Sequence, residues 1–158
     1  MEIRDPVHGS IPLTDAEVAV LDSPEFQRLR AVKQLGFAEF SYPGATHNRY
    51  IHSIGVCHLA GLAFDQIFQK FNFSSADAKN RLRQCFRLGA MLHDIGHGPL
   101  SHTTEEVMPM LSELKVKAYE QKMENKGQAS LMNQKTDRRA DHEDYTIKYI
   151  TDSPLTDV

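Results

Sequence analysis

Cysteine is nearly missing from this chain: only Cys57 and Cys85 occur among 158 residues. Each sits in an apolar helical pattern, which argues against a disulfide framework and for a reducing, cytoplasmic setting. An excess of one charge is missing too. With 18 Lys and Arg against 21 Asp and Glu, the net charge is −3, so charge does not indicate nucleic-acid binding, although a local patch leaves it open. No apolar run is long enough to span a bilayer, and the charged opening Met1–Asp5 is not a signal peptide, so no membrane association is expected. Internal repeats and alternating strand patterns are also wanting. What remains is one soluble domain's length of chain, 41% hydrophobic and 25% charged.

The pattern that is present is helical. Thr14-Asp15-Ala16-Glu17 reads as a capping box ahead of Val18, Val20 and Leu21. Ser23-Pro24 gives an N-cap with proline at the first helical position, before a stripe of Phe26, Leu29, Val32 and Leu35 that Gly36 stops. Residues 37–48 read as an ordered loop with room for a short strand. Ile54, Leu59, Leu62, Ala63, Ile67 and Phe68 predict a long helix, despite Gly55 and Gly61. Ser74 and Ser75 offer caps for another, with Leu82, Cys85, Phe86, Ala90 and Leu92 as its buried stripe, ending near His93-Asp94 where Gly96, Gly98 and Pro99 break the pattern. Residues 113–139 are mainly polar and are expected to form an exposed arm or insertion. His142, Tyr145, Ile147 and Ile150 suggest a last short helix. The expected class is all-α, with loop 37–48 at the rim of a pocket.

Histidines carry the chemical signal. A lone one such as His58, His8 or His47 is more often structural than functional. The set is different: His52 opens one helix, His93 and Asp94 close another, His97 and His102 follow in a glycine-rich turn, and His142 with Glu143 opens a third element. Imidazoles and carboxylates arriving from several helices are how a bundle builds a site for a borderline divalent metal.

His52 with His93-Asp94 resembles the signature of the HD-domain metal-dependent phosphohydrolases. Further blocks are similar, in order, to their deoxynucleoside triphosphate triphosphohydrolase, or dGTPase-like, branch: RDPVHG at 4–9, FQRLR at 26–30, KQLG at 33–36, PGATHNR at 43–49, HSIG at 52–55 and HDIGHGPLSH at 93–102. The resemblance implies an all-helical HD core cutting a dNTP at the α-phosphorus to deoxynucleoside and tripolyphosphate. It implies His52, His93 and Asp94 as ligands for Fe, Mn, Ni or Zn, with Mg²⁺ carried by the substrate. It assigns Arg49 to phosphate, and Gln34 and Leu35 to sugar and base. His97 falls near the α-phosphate, and His102 would protonate the leaving 5′-oxygen, oriented by Glu105 and supported by His142 and Glu143. A nucleotide substrate and a homo-oligomer are implied as well.

Two departures qualify the match. Family members take a fourth metal ligand from a later aspartate. Asp141, Asp144, Asp152 and Asp157 are the late aspartates weighed for that place, and none lies in matching sequence. These residues are therefore expected to be the N-terminal part of a longer enzyme, the alternative being a shortened relative with a defective site. Arg4 stands where nucleotide-activated members carry asparagine, so activation by the same nucleotide is not expected. Two other classes stay open: an HD phosphohydrolase acting on nucleotide monophosphates, cyclic dinucleotides or nucleic-acid ends, and a non-catalytic module binding nucleotide or partner.

Overall fold

The computed structural model describes residues 1–120 and 138–158. The architecture is helical: α1 (Asp15–Leu21), α2 (Pro24–Gln27), α3 (Arg49–Ile67), α4 (Ala76–Leu92), α5 (Leu111–Leu114), α6 (Lys117–Glu120) and α7 (His142–Asp152), with 3₁₀ turns at Arg28–Ala31, Gly36–Phe40, Ser101–Val107 and Pro154–Asp157. Among the described residues no helix is long and apolar enough to cross a membrane.

The anticipated caps form. Thr14 and Glu17 make a reciprocal box at α1, Ser23 caps α2, and Ser75 caps α4. Asp141 and Asp144 make a second reciprocal box at α7, satisfying two otherwise orphaned amides. An antiparallel hairpin, β1 (Glu2–Asp5) with β2 (Gly9–Pro12), precedes α1, where no strand was expected. Its strands are too short to show alternation; Ile3 pairs with Ile11, which is fully buried, and the Asp5 carboxylate accepts from Val7 and His8 across the turn.

The helix expected through Leu35 ends early. After the 3₁₀ turn, Val32 turns extended and accepts from the Arg49 amide, while Gln34 donates to His47, forming a bridge between Lys33 and Asn48. Long-range backbone bonds have outbid local helix propensity. They also fix the start of α3, which Asn48 caps.

The antiparallel core pair α3 and α4 buries a different face from the one periodicity suggested. On α3 the buried positions are Tyr50, Ser53, Ile54, Cys57, Gly61 and Phe64, whereas Leu59, Leu62 and Ile67 are exposed. On α4, Arg87 and Met91 are buried, while Leu82 and Phe86 are each 48% exposed and Cys85 faces solvent. The reason is Glu17. Its carboxylate is fully buried and takes Arg87 Nε at 2.6 Å and a second guanidinium nitrogen at 2.9 Å, together with Gln84 and the Thr14 amide. A Cβ on Gly61 would stand 2.7 Å from that guanidinium, so glycine lets the arginine pass between the helices.

The main core gathers Ile11, Leu13, Val20, Leu21, Phe26, Leu29, Val32, Tyr50, Ile54, Cys57, Met91, Ile95 and Leu155. A second cluster, Met108, Leu111, Leu114, Val116 and Ala140, lies beneath α7. Leu114 and Val116 thus anchor the start of the segment expected to be a polar arm, and residues 121–137 of that segment lie outside the described residues. Its two ends are pinned together. Leu111 donates to Arg138 O and Ala140 to Pro109 O, Tyr119 Oη donates to Asp144, and the Lys117 amide donates to Asp152.

Candidate metal centre

The close of α4 and the opening of α3 bring His52, His93 and Asp94 together, with one donor atom from each within 4.8 Å of the others. His93 is the C-cap of α4, and its Nδ1 donates to Ala90 O at 2.7 Å. That bond fixes the tautomer and leaves Nε2 free, 3.2 Å from Asp94 Oδ1. His52 Nε2 lies 3.5 Å from Asp94 Oδ2, and burial pushes its pKa down, which favours the neutral ring a metal needs.

Asp94 is the hub. Burial pushes its carboxyl up, but His97, His93 and Arg49 outweigh this and hold it far below the usual carboxylate range. Arg49 donates one guanidinium nitrogen to Asp94 Oδ2 and the other to Ser101 Oγ. Its Nε is buried with no hydrogen-bond partner among the described residues. Ser101, at φ 57°, also donates to the backbone oxygen of Gln34. Ser101 gave no sequence signal beyond its place in the 93–102 block.

A second group adjoins the first. His97, His102, Glu105 and His142 also present donor atoms within 4.8 Å of one another. Glu105 Oε1 accepts from His142 Nδ1 at 2.6 Å and from His102 Nδ1 at 3.0 Å. Burial pushes the Glu105 carboxyl up, yet these bonds hold it below its ordinary value. The buried His97 ring stacks on His142 at 3.8 Å, its Nε2 lies 3.5 Å from Asp94 Oδ1, and burial pushes its pKa down. His97 thereby joins the two groups. Glu143 is exposed on the first turn of α7 and enters neither group, nor does any of the four late aspartates.

Three supports missed by sequence reasoning hold the turn at 93–98. Arg28 donates to the carbonyls of Ile95 and His97. Thr146 Oγ1 accepts from the Gly96 amide and donates to His93 O. Gly96 itself has no room for a side chain, since a Cβ would lie 2.0 Å from His142 O. That closeness sets α7 against the turn and His142 against His97.

The sequence has counterparts among known proteins. The chain is 44% identical to deoxynucleoside triphosphate triphosphohydrolase SAMHD1 of Xenopus laevis over 99 residues, covering 63% of this chain and 15% of that protein. It is 43% identical to the human protein of the same name over 100 residues, 63% of this chain and 16% of that one. An uncharacterized protein of Methanocaldococcus jannaschii is 44% identical over 103 residues, 65% of this chain and 20% of its own. The chain thus spans about a sixth to a fifth of the length of these relatives. The HD domain family model matches residues 49–150, from the Arg49 that clasps Asp94 to the helix that carries His142, and the chain belongs to the HD domain family.

Proposed function

We propose that this chain supplies the metal- and phosphate-facing part of a dNTP triphosphohydrolase site. The observation that supports this most is the adjacency of two groups of opposite capacity: His52, His93 and Asp94, suited to hold a divalent cation, and His97, His102, Glu105 and His142, suited to move a proton, with Asp94 and His97 between them. The relatives named as dNTP triphosphohydrolases support dNTPs as the substrate class.

His52 Nε2, His93 Nε2 and the Asp94 carboxylate fit a borderline metal, with the identity among Fe, Mn, Ni and Zn part of this proposal and Mg²⁺ carried by the triphosphate. A bound metal supplies positive charge that polarises phosphoryl oxygens and makes water more acidic. Arg49 Nε, without a partner and close to Asp94, offers a further donor to a phosphate oxygen. Water attacks the α-phosphorus, the bond to the 5′-oxygen breaks, and that oxygen takes a proton from His102. Glu105 accepts from Nδ1 of His102, so Nε2 is the atom that delivers the proton. His142, bonded to the same oxygen of Glu105 and stacked on His97, keeps both rings in place. Gln34 and Leu35 would meet sugar and base. A homo-oligomer and a cytoplasmic location belong to the same reading.

The test is incubation of the protein with dNTPs, nucleoside monophosphates and bis-p-nitrophenyl phosphate, in Mn²⁺ and in EDTA. Mn²⁺-dependent release of tripolyphosphate from dNTPs is expected. Cleavage confined to monophosphates or the diester would replace this reading with another HD phosphohydrolase, and no cleavage with tight nucleotide binding would leave a binding module.

A further inference from the structure

We infer that His97, His102, Glu105 and His142 form a second, inhibitory cation site for a zinc-class ion, separate from the His52–His93–Asp94 set. The donors are three imidazoles and one carboxylate without a thiolate, a set that favours borderline ions such as Zn²⁺ over Mg²⁺ or Ca²⁺. Four donors match the coordination number of zinc. Tetrahedral bonds of about 2.0–2.1 Å place donors about 3.3–3.4 Å apart, and here all four lie within 4.8 Å. Rotations of the flexible His102 and Glu105 side chains close that gap.

A second observation points the same way. His97 is 1% exposed, its Nε2 faces Asp94, and its Nδ1 is buried with no hydrogen-bond partner among the described residues. Arg49 Nε and Gln34 Oε1 are buried without a partner as well, but within this group of four residues His97 Nδ1 is the one buried side-chain atom left so among the described residues, and it can offer a lone pair to a cation. Access is open, since the His102 side chain is 67% exposed. Arg28, Thr146 and the close packing at Gly96 hold the turn that carries His97, and the His142 ring, now stacked on His97 at an interplanar angle of 14°, tilts out of that stack for both lone pairs to reach one ion.

Coordination uses the nitrogen lone pairs and the Glu105 oxygen, and it releases the protons that now bridge His102 and His142 to Glu105. An ion bound there removes the proton donor at His102. Binding itself does not depend on the catalytic reading; the inhibition does.

The experiment is calorimetric titration of the metal-free chain with Zn²⁺, with Co²⁺ absorption reporting on coordination, alongside activity measured across the same Zn²⁺ range in Mn²⁺. Wild type is expected to take two ions. His52→Ala should keep one, and His102→Ala or the milder Glu105→Gln should lose the other, with the affinity of that ion falling at least tenfold while circular dichroism stays unchanged. Activity should rise and then fall as Zn²⁺ increases. A single equivalent in wild type, or a second one that survives both His102→Ala and Glu105→Gln, overturns the site. Two equivalents with no dNTP hydrolysis under any condition would keep the site and reject the catalytic reading.

Discussion

Two buried arginine–carboxylate pairs sit among the described residues, and they are built to different standards. Glu17 has both oxygens occupied, by two guanidinium nitrogens, Gln84 and the Thr14 amide, and one of those two Arg87 nitrogens also donates to Pro12 O. Asp94 has Arg49 on one oxygen, with three imidazoles at 3.2–3.5 Å. Arg49 retains an unpartnered Nε. A saturated pair holds helices together and has nothing left to offer. An unsaturated one, walled by neutral rings, keeps donors for a cation and a phosphate. Residue type and burial are the same in both places; completeness of the hydrogen bonding separates structure from site.

Substitutions can break that comparison. Arg87→Ala should produce the largest loss, about 3–5 kcal/mol in urea unfolding with chelator present, because it strands the Glu17 charge in the core. A loss below about 1 kcal/mol would mean water reaches Glu17. Asp94→Asn should cost less, about 1–3 kcal/mol under the same conditions, since Asn still accepts from Arg49. It should nonetheless abolish the rise in Tm that Mn²⁺ gives the wild type, and a rise of undiminished size would show that the cation binds elsewhere.

Acid should erase the Glu17 pair's contribution. Burial raises the Glu17 carboxyl, but Arg87 and the Thr14 amide outweigh it, so the folded pKa lies below the ordinary value of 4.5. Its contribution is then complete above about pH 4.5 and fades as pH falls through the folded value. The stability gap between wild type and Glu17→Gln should hold steady from pH 7 to 5 and narrow below that; a gap that widened in acid would reverse the sign. The smallest effect concerns the thiols. Cys57 packs beside the same pair and burial pushes it up to about 11, while Cys85 is exposed. A thiol reagent should label one cysteine quickly and the other only on unfolding, and equal rates would show that the saturated pair does not keep its surroundings closed.

Much of the helical framework is legible from its caps, because Thr14, Ser23 and Ser75 each announce a start by a local bond. Which face turns inward is not. Periodicity gives the spacing of apolar residues, but α3 is apolar all round, and on α4 a buried arginine outranks Leu82 and Phe86 because its partner lies on α1, some seventy positions earlier. The same division runs through the candidate site. His52, His93 and Asp94 stand out as residue types in an ordered pattern, and one donor atom of each lies within 4.8 Å of the others. Ser101, Thr146 and Arg28 act through hydroxyls and backbone carbonyls, interactions that any serine, threonine or arginine can make, so only the folded chain identifies them.

The clamp that gathers Pro109–Leu111 and Arg138–Ala140 has a consequence for the placement of α7. Chain leaving at residue 120 and returning at residue 138 does so between two fixed posts. The start of α7 is thereby set by bonds among residues 109–111 and 138–140, and His142 takes its place against His97 from that clamp and from the close packing at Gly96.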